Sequence, residues 1–524
     1  MKSQLSAPVV QPDSADPSRL ALTDRLEHEA RRVVAGLRED FTHLHTQPTV
    51  ARLGRVVEAG DGVATAVGLE HPVAGELLDI DGVPARAEIV SEDQVRMILF
   101  GGSEAVAAGA PVRRTGRVLD VPAGVELIGR VVDALGRPID HRGRLNTRRR
   151  VPIEGEAASL ADREAVSRPL RTGLFVVDTM IPIGRGQRQL IVGDHSTGKS
   201  ELCLNILAAL DHGLVGIYVS IGRRGADTAA NLGWLTDHGF FQRGFALVAN
   251  ADQSVGLVQL APYTAMAMAE ALMHEGRDVV VVFDNLTAHA HAHRSLALLL
   301  GRPVGREAYP VDVFYAHARV LERAGQLGRE RGGGSVTALP IIETQAGDLT
   351  AYIPTNLVSI TDGQIRLDAG LVSEGQVPAV DVALSVSRVG SKAQPRLIRE
   401  LAGQLAHRYA QFLELESFTR FGARLETSAQ RTINWGRRVR RALRQGRSEP
   451  RTWAQTAATL LVLDDPRITD VALEDLRALI DSVCTTIESH HLHVWTRLEL
   501  GDALAPGDSE LVREVVGVVL GAQP

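Results

Sequence analysis

The chain has 524 residues, 44% hydrophobic and 23% charged, a balance that fits a folded protein of about three domains and excludes a disordered chain. Its 63 acidic residues outnumber its 57 lysines and arginines, for a formal net charge of −6, which argues against a general nucleic-acid binder. Two cysteines, Cys203 and Cys484, are too few for a disulfide framework or a cysteine metal site and fit a reducing compartment.

Residues 1–49 form a first segment. Residues 1–20 are rich in Ser, Pro, Asp and Gln, and flexibility is expected there. Leu20–Phe41 has helical periodicity, with Thr23 as a cap and Leu26, Ala30, Val33 and Leu37 on one face. The opening residues lack the apolar core of a signal peptide, and no apolar run nears the ~18 residues of a membrane span. A cytoplasmic protein, or a peripheral part of a larger assembly, is expected.

Residues 50–118 change character. Short Val/Ala/Leu strands alternate with turns at Gly60-Asp61-Gly62 and Asp81-Gly82, a strong hairpin signal. A small β-barrel is expected. Residues 119–394 alternate strands with helical stretches. Leu190–Val192, Val215–Ser220, Phe245–Ala249, Val279–Phe283 and Ser335–Ile342 have the composition of buried strands. Lys199–Leu210 and Thr264–Glu275 are expected helices between them, the pattern of an α/β parallel sheet. Residues 395–524 lose the strand signal. Helices are expected over Ile398–Leu413, Ala429–Arg444, Trp453–Leu463 and Leu473–His490, an all-α C-terminal domain.

The sharpest motif is Gly193-Asp194-His195-Ser196-Thr197-Gly198-Lys199-Ser200. It fits G-x-x-x-x-G-K-S/T between an expected strand and an expected helix, the context a phosphate-binding loop requires. Glycines let the backbone wrap a polyphosphate with its N–H groups inward, and the helix adds its positive end. Lys199 is one of only three lysines, with Lys2 and Lys392. It is assigned to β/γ oxygens, and Ser200 to Mg²⁺. Asp284, which ends the run Val279–Phe283, is the acidic partner expected to orient the metal, so the pattern calls for a bound nucleotide, ATP or ADP, with Mg²⁺.

Further stretches carry a family likeness: Gly-Arg-Gly-Gln-Arg at 184–188, Gly-Arg-Glu-Ala-Tyr-Pro at 305–310, Gly-Gly-Gly-Ser at 332–335, ALPIIETQAGD at 338–348, YIPTNLVSITDGQ at 352–364 and LSVSRVGS at 384–391. With matching barrel segments at Val56–Val63 and Arg113–Gly136, the chain resembles the alpha subunit of F-type ATP synthase over nearly its full length. The resemblance implies a β-barrel, a central RecA-like P-loop domain and a helical C-terminal domain. It implies a noncatalytic, Mg-ATP-binding subunit of a rotary ATP synthase, driven by a proton or sodium gradient or run in reverse as an ion pump. Three such chains would alternate with three beta subunits around a gamma shaft. The N-terminus would meet a peripheral stalk subunit, and the complex would lie on the cytoplasmic face of a bacterial inner membrane. By its place in LSVSRVGS, Arg388 is the arginine lent to the neighbouring beta site, with Ser385 and Ser387 positioning it. Pro378 and Gln445 fall at the family's adenine pocket.

Where beta subunits carry a water-polarising glutamate, this chain has Arg223, within Ile221-Gly222-Arg223-Arg224-Gly225. A fixed cation is no general base at neutral pH. Glu201, on the helix beside the loop, is a poor substitute. The chain departs from the usual alpha pattern at His195 and Ser196, at Asn285 after Asp284, at Arg447 in place of a second glutamine and at Val377 in place of an arginine. These departures suggest a divergent, alternate or sodium-linked branch.

Two constellations have milder explanations. Of His289, His291 and His293, only the first and last share a helical face, and polar packing is favoured over metal binding. The same discount applies to His490, His491 and His493. Arg431–Arg447 holds seven arginines, for which ion pairs are favoured over nucleic acid. Two other classes are disfavoured. A self-sufficient ring ATPase needs a glutamate near residue 223, and an RNA-translocating ring helicase needs aromatic faces on a barrel whose only aromatic is Phe100.

Overall fold

The computed structural model describes residues 53–419 and 426–522. The chain divides into two units, Met1–Arg52 and Leu53–Pro524. The expected N-terminal helix and stalk contact lie in the first, outside the described residues.

Six strands, β1 (Gly54–Gly60), β2 (Val63–Val67), β3 (Glu76–Ile80), β4 (Val83–Val90), β5 (Gln94–Leu99) and β6 (Pro111–Val118), close a barrel in the order β1-β2-β5-β4-β3-β6. Alternation drives the closure: Val56, Ala64, Ala66, Leu78, Ile80, Ala85, Ala87, Val95, Met97 and Leu99 point inward and are buried. The two Asp-Gly turns have positive φ at both central residues, 51° and 88° at Asp61-Gly62 and 52° and 90° at Asp81-Gly82. That is the conformation whose twist matches a hairpin.

The central domain is built on a mainly parallel sheet. Its strands are β7 (Val131–Asp133), β8 (Gln189–Asp194), β9 (Leu214–Ile221), β10 (Gly244–Ala249), β11 (Asp278–Asp284), β12 (Ser335–Thr344), β13 (Gly363–Leu367) and β14 (Val386–Ser387). The order is β14-β13-β8-β12-β11-β9-β10-β7, with only β14 antiparallel along this path. Every residue of β9 is buried, as both faces of a covered parallel sheet require. All five strands expected from the sequence are present, each longer by one or two residues at one or both ends.

The helix expected over Thr264–Glu275 is longer. It runs Val255–His274, with Ser254 Oγ accepting from Leu257 N. Pro262 sits inside it, where a missing N–H ordinarily marks a boundary. The helix continues because it is buried almost throughout and packs on β9, β10 and β11. It is long and apolar enough to cross a membrane by composition alone, yet 89% of that stretch is buried inside the protein.

The C-terminal region is helical, as expected. Ile398–Leu413 is two helices, Arg396–Ala402 and Leu405–Thr419. Thr427–Leu443, Trp453–Asp464 and Leu476–His490 follow, and the sequence reading omitted Leu492–Leu500 and Asp508–Ala522. Several arginines of the basic stretch are tied into this packing. Arg438 is buried and donates to the carbonyls of Ile468 (2.6 Å), Thr469 and Val471. Arg440 pairs with Glu416 at 2.5 Å. Both cysteines are buried free thiols.

Candidate functional site: a phosphate loop and an exposed arginine

Strand β8 delivers the loop Gly193–Ser200 to the carboxyl end of the sheet, between β12 and β13. In open α/β sheets ligands bind outside these strand ends. Helix α1 (Lys199–Ala208) starts directly from the loop, with Gly198 at φ 91° as its N-cap. A β-carbon on Gly193 would lie 2.6 Å from the Leu367 carbonyl oxygen and 2.9 Å from Thr197 Oγ1, so the loop passes where only glycine fits.

Hydrogen bonds within the protein hold the loop. Thr197 Oγ1 donates to the Asp194 carbonyl at 2.8 Å, and Lys199 Nζ donates to the same oxygen at 2.5 Å. The Asp194 carboxylate accepts from Thr344 Oγ1 (2.7 Å) and Gly347 N (2.8 Å). The Thr344 hydroxyl, foremost, holds its pKa below the usual carboxylate range. Burial lowers the Lys199 ammonium pKa, against the charges of Glu343, Asp284 and Asp194. His195 and Ser196 differ from this core: the His195 side chain is 84% exposed, 3.7 Å from Glu343, and Ser196 has φ 60°.

Asp284 ends β11, fully buried. It accepts from Tyr218 Oη at 3.0 Å and from Arg223 Nη1 at 2.7 and 2.9 Å. The same Arg223 nitrogen donates to Ser200 Oγ at 2.8 Å. Ser200 and Asp284, the pair expected at Mg²⁺, are therefore brought together, with a guanidinium between them. Arg223 follows β9, whose parallel pairing with β11 carries it to the same sheet end.

Two residues at this site escaped the sequence reading. Tyr218 lies inside an apolar strand run, where nothing marks its hydroxyl for Asp284. Glu343 accepts from Asn285 Nδ2 at 3.3 Å. Its signal was available, an acidic residue near the end of the strand beside the loop strand. Glu201, by contrast, faces Arg447 at 3.9 Å.

At the expected adenine end, Gln445 N donates to Val377 O at 2.8 Å, which joins the Pro378 segment to Gln445. The Gln445 side chain is committed: Nε2 donates to Gly173 O and Glu449 O, both 2.5 Å, and Oε1 accepts from Phe175 N at 2.9 Å. It shapes the wall of a small cavity that Thr172, Asn205, Ala208 and His238 also line. Arg447 stacks on Trp234, 4.7 Å from the ring centre.

Arg388 stands apart from this cluster, exposed at the sheet edge just after β14. Its backbone N donates to Asp362 O at 3.0 Å, and its Nη1 makes one long bond, 3.4 Å, to Thr361 O. The nearby Asp362 carboxylate is taken by Arg188 at 2.7 Å. Among the described residues Arg388 forms no ion pair. The two serines hold its segment. Ser385 Oγ donates to Asp381 O (2.6 Å) and accepts from Arg366 N (2.9 Å). Ser387 Oγ donates to Pro182 O (2.6 Å) and accepts from Gln187 Nε2 (3.1 Å). A β-carbon on Gly390 would overlap the Pro182 carbonyl oxygen. Gly390→Ala is therefore expected to displace the segment and cut turnover of an assembled complex on the order of 10²-fold, leaving nucleotide binding by the chain intact. Steady-state kinetics beside a binding titration check this.

Two of the three histidines on the helix after Asp284 make hydrogen bonds within the protein. His289 Nε2 meets Gln259 O at 3.1 Å and His293 Nε2 meets Asp312 Oδ1 at 3.0 Å. His317 joins them, its ring centre 5.3 Å from that of His289. Among the described residues no group of three or more His, Cys, Asp or Glu is placed to hold a metal. Both ring nitrogens of His317 are buried without a partner, and burial pushes its pKa from 6.5 down to about 3. Below pH ~6.5 the unfolded chain binds a proton that the folded chain refuses. Stability contributed by the neutral ring is thus present above that pH and is lost as pH falls toward 3, at up to about 1.4 kcal/mol per unit. Urea midpoints should fall from pH 7 to pH 5, and fall less in His317→Leu.

Residues 173–387 match the model of the ATP synthase alpha/beta family, nucleotide-binding domain. Residues 50–116 match the family's beta-barrel domain, and 394–517 the ATP synthase alpha/beta chain, C terminal domain. The chain is 44% identical over 474 residues to ATP synthase subunit alpha 2 of Syntrophus aciditrophicus, covering 90% of this chain and 91% of that one. It is 47% identical over 443 residues to ATP synthase subunit alpha 1 of Dinoroseobacter shibae, covering 83% and 87%. It is 44% identical over 490 residues to ATP synthase subunit alpha 2 of Polaromonas naphthalenivorans, covering 93% and 94%. With all three domains matched in order and relatives covered nearly end to end, the chain belongs to the ATP synthase alpha/beta family, among its F-type alpha subunits.

Proposed function

We propose that this chain is the noncatalytic, nucleotide-holding and arginine-donating subunit of a rotary F-type ATP synthase. The observation that carries the reading is the pairing of two separate features. One is a preformed phosphate loop whose neighbour at the expected base position is a cation, Arg223, committed to Asp284. The other is an exposed arginine, Arg388, without an ion-pair partner among the described residues, on a segment braced by Ser385 and Ser387. The loop grips the nucleotide phosphates through Gly193–Ser200 and Lys199. Pro378 and Gln445 bound the base end.

Arg388 is suited to a neighbour's site because its backbone is fixed and its head is held by one long hydrogen bond alone. A guanidinium there stabilises charge spreading over a transferred phosphoryl group. That role makes beta subunits the direct partners, alternating with this chain in a ring of three and three. A gamma shaft would turn inside the ring, a stalk subunit would meet the N-terminus, and the membrane sector would lie beyond, on the cytoplasmic side of a bacterial inner membrane. Ser200 and Asp284 carry oxygen donors of the right kind for a divalent cation. Both face Arg223, and that set does not accommodate the ion as it stands.

The test is to mix the purified chain with its beta partner. A ring-sized complex with turnover above that of either component supports the reading. Failure to associate, or turnover no greater than that of beta alone, rejects it.

A further inference from the structure

The Arg223 guanidinium occupies the point where a loop serine and a strand-end aspartate would share a metal. One nitrogen, Nη1, lies 2.8 Å from Ser200 Oγ and 2.7 and 2.9 Å from the two Asp284 oxygens. Mg²⁺ demands six oxygens at about 2.1 Å in octahedral array, and a nitrogen hydrogen-bonded to three of the candidate oxygens leaves no room for it. Charge points the same way. Asp284 is fully buried, and an unpaired carboxylate there is costly. Arg223 neutralises it, with the Tyr218 hydroxyl as second donor. A divalent ion added to this arrangement would face the Arg223 guanidinium, whose charge already disfavours that of Lys199. Arg223 also keeps donors in reserve, since its bonds to Ser200 and Asp284 all come from Nη1 and a guanidinium carries five N–H donors.

We propose that Arg223 is a resident cation that stands in for the divalent metal, so that this subunit holds a metal-free nucleoside di- or triphosphate. The inference rests on the nucleotide-site reading of Gly193–Ser200 and deepens it. Nucleotide held by this chain is then insensitive to Mg²⁺, whereas a site with a free serine and aspartate is not.

The experiment uses the full chain, stripped of nucleotide, and a fluorescent ADP analogue. Binding is titrated in EDTA and again in excess Mg²⁺, and Mn²⁺ retained with bound ADP is counted after gel filtration. The expected result is affinities within about threefold of each other, with no Mn²⁺ retained per bound nucleotide. Arg223→Gln, which opens the position, should bind at least about tenfold more tightly with Mg²⁺ than without. Wild-type binding that tightens tenfold or more with Mg²⁺, or one Mn²⁺ per bound ADP, overturns the proposal while leaving the nucleotide site in place. No binding under either condition sinks the nucleotide-site reading and this proposal with it. The wild-type arms decide the matter even where Arg223→Gln folds poorly.

Discussion

Replacing Arg388 by alanine is expected to lower ATP turnover of the assembled complex by ~10³-fold or more. The head of Arg388 makes a single long hydrogen bond, 3.4 Å to Thr361 O, so its removal costs the isolated chain little. Folding, ring assembly and nucleotide binding at the chain's own loop should be unchanged. The loss should fall on kcat with little change in KM, because charge on the transferred group develops in the transition state. Arg388→Lys should rescue poorly, since an ammonium lacks the planar fork of a guanidinium. A fall of less than about tenfold in Arg388→Ala would remove the residue from the neighbour's chemistry.

Lys199→Ala carries the second large effect. Lys199 is buried, its hydrogen bond goes to the backbone oxygen of Asp194, and that bond is what a bound phosphate replaces. Truncating a buried charge of this kind costs about 2–5 kcal/mol of binding, so affinity for ADP should drop on the order of 10²-fold or more. Thermal denaturation should show a fold still formed, since burial already disfavours the Lys199 charge. A titration with fluorescent nucleotide reads the loss, and unchanged affinity would place the nucleotide elsewhere.

The sequence made some of this legible and hid the rest for physical reasons. The phosphate loop is local: eight consecutive residues fix the turn, the donors and the helix start. The barrel was legible because inward and outward residues alternate and the Asp-Gly turns set the register. The long helix Val255–His274 was legible only from Thr264 onward, because its first turns, which contain Pro262, are held by tertiary packing that no local signal announces. Arg223 was half legible. Its charge excluded a general base, but its contacts reach across 23 residues to Ser200 and 61 to Asp284, and only the pairing of β9 with β11 brings these together. Tyr218 and His317 were invisible for the same reason, each polar within an apolar stretch. Gln445 was singled out by resemblance alone, and its side chain braces Gly173, Phe175 and Glu449.

On the proposed function, the chain holds nucleotide without turning it over. Among the carboxylates near the loop, Asp284 is neutralised by Arg223, Asp194 is engaged by Thr344 and Gly347, and Glu201 faces Arg447. Glu343 holds the Asn285 amide and is the one group whose freedom would change the picture. The most direct measurement is ATP hydrolysis by the purified chain alone, with nucleotide binding measured on the same sample. The expected result is bound nucleotide and no phosphate release above a protein-free blank. Sustained hydrolysis by the isolated chain, abolished in Glu343→Gln, would contradict it and make this subunit a catalyst in its own right.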